Sequence, residues 1–173
     1  LEIRLHTDEI EKIKNLKAGD IILLSGEIYT ARDAAHKRLI ETINRGEELP
    51  FQIKDKIIYY AGPTPTKPGQ IIGSCGPTTA GRMDKYSPTL LDMGLLAMIG
   101  KGKRDKTVCD AIVRNSAVYL AAIGGAGALI SKSVLKVENV CYEDLGTEAV
   151  RKLTVKDFYT TVVIDKTGKN LYR

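Results

Sequence analysis

One run of twelve residues, Gly73-Ser-Cys-Gly-Pro-Thr-Thr-Ala-Gly-Arg-Met-Asp84, gathers three glycines, a proline, three hydroxyls and a guanidinium. It follows a β-branched stretch and reads as a turn entering a helix close to Thr78. Pro77 suits the first helical turn, where its missing N–H leaves nothing unpaired. Backbone N–H groups at such a start favour an anion. Arg82 lies four residues after Thr78, so a helix would project both from one face. A hydroxyl beside a fixed cation can hold a substrate or take a proton from it. The same residues also read as a capped helix with Arg82 solvated on its surface, and chemistry alone leaves both readings open.

Two further corners carry cations. In Leu24-Ser-Gly-Glu-Ile-Tyr-Thr-Ala-Arg-Asp-Ala-Ala-His-Lys-Arg38, a strand and a glycine turn lead into a helix, and Arg32 stands where the helix dipole disfavours positive charge. Asp33 partly offsets it. His36, four residues on, shares that face and reads first as a hydrogen-bonded packing residue rather than an acid or base. In Ile99-Gly-Lys-Gly-Lys-Arg-Asp105 the charges read as a solvated edge. Lys101, however, sits between two glycines that allow a ligand to approach closely. Arg32, Arg82 and Lys101 thus mark three strand-to-helix corners, where ligands of α/β sheets gather. Several fixed cations, with arginine's bidentate geometry, suit a di-anion.

The elements that must hold these corners can be read from periodicity. Leu1–Leu16 predicts a short strand, Ile3–Leu5, then one or two helical turns capped by Thr7 or Asp8. Ile21–Leu24 is a buried strand. Ala31–Arg45 is a helix striped by Ala34, Ala35, Leu39 and Ile43, and Gly46 stops it. Lys56–Ala61 and Gln70–Ser74 are short β-branched runs on either side of a proline-rich loop. Next come a helix through Pro88–Met93, strand Leu95–Ile99, helix Arg104–Asn115, strand Ala117–Ala122, helix Ala126–Ser131 and strand Val134–Val140. Val150–Val155 and Thr161–Ile164 are two final strands. This order predicts an α/β fold of layered sheets and helices in a single domain, residues 1–173.

Several patterns fail. Gly94 to Lys101 has the wrong spacing for a phosphate loop, and Gly102 stands where Ser or Thr is required. Gly125-x-Gly127 lacks the third glycine of a dinucleotide fingerprint, because Ile130 occupies it, and reads as close packing. No G-x-S-x-G elbow is present. Of the 173 residues, 43% are hydrophobic and 27% charged, the balance of a folded chain rather than a disordered one. No apolar run approaches the ~20 residues of a membrane span. The first residues show no apolar signal core, so the expected location is cytoplasmic. The net charge of +5 favours anions without choosing among them. Cys75, Cys109 and Cys141 stand 34 and 32 residues apart, which gives no local metal-ligand spacing. Three idle thiols in a reducing compartment is the favoured reading over a cluster held here.

Four motifs in order, Ser25-Gly-x-x-Tyr-Thr-Ala-Arg-Asp-Ala-Ala-His-Lys-Arg38, Ala61-Gly-Pro63, Gly76-Pro-Thr-Thr-Ala-Gly-Arg-Met-Asp84 and Ile99-Gly-Lys-Gly102, resemble the β subunit of class I, iron–sulfur fumarate hydratases. In single-chain members this unit is the C-terminal domain. The tartrate dehydratase β subunit is similar too. The resemblance spans Lys17 to Tyr172. It implies a swivelling β/β/α fold, a hydro-lyase reaction interconverting fumarate and malate in the tricarboxylic acid cycle, and a hetero-oligomer with a larger α subunit. That partner would hold a 4Fe–4S cluster, so no metal ligand falls on this chain and no nucleic-acid or membrane partner is expected. Carried over by motif, Thr78 is implied as the base, with Arg32, Arg82 and Lys101 binding the substrate carboxylates. Thr79 cannot be told from Thr78 by sequence. Tartrate or another C4 diacid is the alternative substrate. A stand-alone module binding anions or nucleic acid is a third reading, which steep weakening by salt would reveal.

Overall fold

The computed structural model describes residues 2–123 and 126–172. Seven strands form one sheet: β1 (Glu2–His6), β2 (Ile21–Thr30), β3 (Ile57–Tyr59), β4 (Ala97–Gly100), β5 (Val118–Ala121), β6 (Val134–Cys141) and β7 (Val150–Ile164). The helices are α1 (Ile10–Lys14), α2 (Asp33–Asn44), α3 (Ser87–Asp92), α4 (Lys106–Asn115) and α5 (Gly127–Ser131), with 3-10 turns at Ala80–Met83 and Glu143–Glu148. No helix among the described residues is long and apolar enough to cross a membrane.

The sheet runs β1-β2-β3-β4-β5-β7-β6, and β2 also pairs with β7. That extra pairing closes β2, β3, β4, β5 and β7 into a ring. Pairing is parallel from β1 through β5, and β7 runs antiparallel to β2, β5 and β6. The expected swivelling β/β/α class is therefore present as a single sheet closed on itself and flanked by helices, rather than as separate stacked sheets.

Alternation explains why β3, β4 and β5 read as unbroken apolar runs. Ile57, Tyr59, Ala97, Ile99, Val118 and Leu120 face the barrel interior, with Phe158 and Val162 of β7. Ile58, Tyr60, Met98 and Tyr119 face outward into a second core beneath α2, α3 and α4. Both faces are buried, so no position on these strands has to be polar. Within the barrel the Tyr59 hydroxyl donates to the Cys75 carbonyl at 2.6 Å.

Several expectations change, among them the cap of α1, where Glu9 rather than Thr7 or Asp8 precedes the helix. Gln70–Ser74 is not a strand: Ser74 exchanges hydrogen bonds with Thr64 instead (Thr64 N–H to Ser74 O, 2.9 Å), and Gly73 lies so close to that partner that a Cβ would fall 2.1 Å from the Thr64 carbonyl oxygen. The two final strands are one, β7, fifteen residues long. Its charged middle, Lys156 and Asp157, looked like a break but lies at a bulge opposite Ser25, with the Asp157 N–H on the Ser25 hydroxyl at 3.0 Å. Finally, Gly124 and Gly125 fall outside the described residues, as does Leu1. Gly127 does serve a close approach, to Ser74–Gly76 rather than to a strand: a Cβ there would lie 2.8 Å from the Gly76 nitrogen.

The outer core contains a charged group. The Arg104 side chain is fully buried, and its Nε donates to Asp84 Oδ1 at 2.7 Å. One terminal nitrogen donates to the Ser87 hydroxyl at 2.8 Å and to the Tyr60 hydroxyl at 3.2 Å, and the guanidinium lies over the Tyr60 and Tyr119 rings. Asp84 is completed by the Asp105 N–H on Oδ2, at 2.9 Å. Arg104 therefore lies in the core and not on the solvated edge that its run of charges suggests. His36 packs beside the cluster against Tyr60 and Tyr86. Its Nδ1–H donates to the Arg32 carbonyl at 2.8 Å, while Nε2 is buried without a partner. Burial holds its pKa down, to about 4.

These features generate two expectations. Asp84→Ala leaves the Arg104 guanidinium buried without counter-charge and should cost about 3–5 kcal/mol in urea unfolding. Breaking the exposed Arg114–Asp92 pair through Asp92→Ala should cost no more than about 1 kcal/mol. His36 takes up its proton more readily in the unfolded chain. Its stabilisation is complete above its ordinary value of 6.5 and is lost as pH falls towards about 4, a swing on the order of 3 kcal/mol. His36→Phe should flatten that part of the stability–pH curve, and an unchanged slope would show that His36 does not titrate in this way.

Candidate functional site

The three cationic corners come together because their strands are neighbours. Tyr29 and Thr30 at the end of β2 pair with Ile58 and Tyr59 of β3, which pairs with β4 through Ile99. All three strands run the same way, so the segments after them emerge on one rim, as ligand-binding segments of parallel sheets do. Arg32 follows β2, Gly62 follows β3 and Lys101 follows β4.

Arg32 is the residue that opens α2, and its side chain is about a quarter exposed (24%). No local side chain caps this helix. Glu148, from the 3-10 turn before β7, accepts the Ala34 N–H at 3.1 Å, placing a carboxylate where the dipole welcomes it and offsetting the neighbouring arginine. Gly62 makes room for Arg32: a Cβ would lie 2.9 Å from its Cδ and 3.0 Å from Nη1. By composition and spacing that glycine reads as an ordinary turn residue, and only the Ala61-Gly-Pro63 motif of the resemblance singles it out.

Thr78 does not lie on a helix. The 3-10 turn begins only at Ala80, so the picture of Thr78 and Arg82 on one helical face is withdrawn, as is Pro77 in a first helical turn. Strand ends capture the chain instead. The Thr78 N–H donates to the Tyr60 carbonyl at 2.7 Å and the Ala80 N–H to the Lys101 carbonyl at 2.8 Å, with Thr79 bridged to Lys101 in parallel fashion. This segment is a short extension of the β3–β4 ladder. It needs Gly100, where a Cβ would meet Tyr60 Cδ2 at 2.7 Å and the Thr78 carbonyl oxygen at 3.4 Å. Thr78 is half-buried and Thr79 exposed, a difference that periodicity does not carry.

Arg82 reaches the same rim from the 3-10 turn and donates through Nε to Asp33 Oδ2 at 2.9 Å. Arg32 Nε lies 3.8 Å from Asp33 Oδ1. Among the described residues, Lys101 enters no ion pair and the Nη atoms of Arg32 and Arg82 make no hydrogen bond. The result is a threonine-bearing rim with three cations and incompletely matched charge. It is open. A cavity of about 580 Å³ between residues 64–74 and α5, and another of about 780 Å³ beside Phe51 and Met93, are lined by none of these four residues. Chemically such a rim can grip carboxylates and present a hydroxyl beside them.

The cysteines do not join it. Cys75 is buried in the barrel, Cys109 lies on α4 and Cys141 ends β6. Burial pushes the Cys75 thiol up to about 12 and the Cys141 thiol up to about 11, which disfavours thiolate ligands. No group of three His, Cys, Asp or Glu among the described residues could hold a metal ion. These side chains do not suit an iron–sulfur cluster.

Comparison with known proteins bears on the family of the chain. A family model described as fumarase C-terminus matches residues 1–173. The chain is 40% identical over 166 residues to the aerobic class I fumarate hydratase of Salmonella typhimurium, covering 95% of this chain and 29% of that protein. It is 39% identical over 164 residues to fumarate hydratase 2 of Leishmania major, covering 94% and 29%. It is also 40% identical over 166 residues to a Methanocaldococcus jannaschii protein named as an L(+)-tartrate dehydratase subunit beta, covering 92% and 85%. The chain thus spans under a third of the length of the fumarate hydratases it matches. With a full-length family match laid over the closed sheet and its cationic rim, the chain belongs to the fumarase C-terminus family.

Proposed function

We propose that this chain is the β-subunit half of a hydro-lyase that interconverts malate and fumarate, and that its rim is completed by a larger α subunit. The observation that carries this reading is that Arg32 and Arg82 share Asp33 on the rim where the backbone of Thr78–Ala80 is bonded to Tyr60 and Lys101. Three cations suit a C4 di-anion, and an exposed rim needs a second surface to exclude water from it. The match to class I fumarate hydratases supports the choice of reaction.

In the dehydration direction, Thr78 Oγ, as alkoxide, takes the proton from the carbon next to one carboxylate. The C–O bond on the adjacent carbon breaks, an acid of the α subunit protonates the departing hydroxyl, and fumarate and water result. Hydration is the reverse. An aliphatic hydroxyl is a very weak acid, so its alkoxide serves only where neighbouring cations stabilise it. Arg82 and Lys101 supply that field, and Arg32 and Arg82 hold carboxylates by their forks. A 4Fe–4S cluster held by the α subunit, and by none of the described residues of this chain, would supply Lewis acidity at the hydroxyl. A second reading, the same apparatus acting on tartrate, rests on equal 40% identity to the Methanocaldococcus protein. Assay of the assembled complex on both substrates separates the two.

In that complex, Thr78→Val should lower kcat by about 10²–10⁴-fold, the usual worth of a positioned base, with KM nearly unchanged. Thr79→Val should leave kcat within a few-fold. The reverse pattern would transfer the role to Thr79. The chain purified without its partner should hydrate nothing. If anaerobic iron and sulfide gave it a stoichiometric 4Fe–4S cluster and fumarate hydration, the two-subunit reading would fail.

A further inference from the structure

Asp33 is the first residue of α2, and its two oxygens face two arginines from different elements. Oδ2 accepts from Arg82 Nε at 2.9 Å, and Oδ1 lies 3.8 Å from Arg32 Nε. Neither Arg32 Nε nor Asp33 Oδ1 has a hydrogen-bond partner, although both atoms are buried. In both arginines the carboxylate addresses Nε, on the inner edge of the guanidinium. The Nη atoms of both arginines make no hydrogen bond among the described residues, although Arg32 Nη1 packs beside Gly62. The Arg82 side chain is 50% exposed and that of Asp33 35%, and an ion pair so exposed adds little to stability. Its effect falls on direction. One carboxylate restrains the Arg82 side chain, which would otherwise sample many rotamers, and faces Arg32 Nε with its other oxygen.

We propose that Asp33 is a positioning residue that sets the spacing and orientation of the Arg32 and Arg82 forks for a substrate's carboxylates, a role that deepens the dicarboxylate reading and rests on it. Two guanidiniums and the Lys101 ammonium stand against the carboxylates of Asp33 and Glu148, so the rim stays net positive, as an anion site requires. Without Asp33 the arginines would carry more net charge, yet each could turn towards solvent independently. Position and charge therefore predict opposite signs for the removal of Asp33.

That opposition makes Asp33→Asn the test. The substitution keeps size and shape, removes one negative charge beside an anion site and leaves at most one acceptor for two donors. If Asp33 positions the forks, KM for malate in the assembled complex rises about tenfold, as misplaced binding groups do, while kcat falls less and the thermal midpoint stays unchanged. If Asp33 is only a surface charge, KM falls or stays level, and the proposal is overturned. Asp33→Glu keeps the charge but moves the carboxylate outward by one methylene. It should also raise KM, and wild-type KM in that variant would count against positioning. A second readout needs no turnover. In NMR of the whole chain, the Arg82 Nε–H proton should exchange faster in Asp33→Asn than in wild type, and equal exchange would overturn the proposal. Should the wild-type complex turn over no C4 dicarboxylate, the functional reading fails, while the exchange measurement still decides whether Asp33 restrains the arginine.

Discussion

The rim depends on one buried ion pair. Arg104 lies at the end of the segment that follows β4, and Asp84 lies at the end of the segment that follows Thr78. Each segment is short, carries one glycine (Gly102 or Gly81) and is held by a few backbone bonds. The Nε–Oδ1 contact fastens the far ends of both, as the Ala80–Lys101 backbone bond fastens their near ends. The stretch bearing Thr78, Thr79 and Arg82 is thus pinned at two points against the stretch bearing Lys101. Burying a guanidinium is tolerable only because Asp84, Ser87 and Tyr60 take its hydrogens and two tyrosine rings cover its face. Tyr60 contributes twice, since its carbonyl also receives the Thr78 N–H.

The closed sheet supplies the other half of the rigidity. Open parallel sheets place ligands at a crevice where strand order reverses. Here the ring brings the ends of β2, β3 and β4 to one side with no such reversal among them. The charge on the rim is then settled locally: Glu148 sits at the α2 terminus and Asp33 between the arginines. Negative groups stand behind or between the cations.

Much of this was legible in the residues. Apolar runs marked β2, β4 and β5, the alanine–leucine stripe marked α2, and Gly46 took its positive φ just past the end of that helix. Arg32 stood out as a cation at a helix start, against the dipole, and Lys101 as a cation between two glycines after a strand. What escaped had no local signature. Thr78 looked like a helix start because Pro77 precedes it, but hydrogen bonds from two distant strand ends outweighed that preference. Arg104 sits in Lys-Gly-Lys-Arg-Asp, and its burial depends on Asp84, Ser87, Tyr60 and Tyr119, scattered through the chain. Asp33 read as a local offset to Arg32, since its second arginine is 49 residues away.

The fifteen-residue β7 has a consequence for how the molecule comes into being. It is the last strand in the sequence and the one that closes the ring, pairing with β2 from Ile21 to Thr30 and with β5 and β6. Its pairings with β2 and β5 join segments far apart in sequence, and such topologies fold slowly because distant segments must meet before they are rewarded. On the ribosome, which delivers the chain from its N-terminal side, β2 stands with one edge unpaired until residues 150–164 emerge. Throughout that interval the edge is open to strands of other molecules. The bulge at Lys156 and Asp157 interrupts β7's own edge with charge and a kink. That makes the latecoming strand a poor template for the wrong neighbour while leaving it free to find the right one.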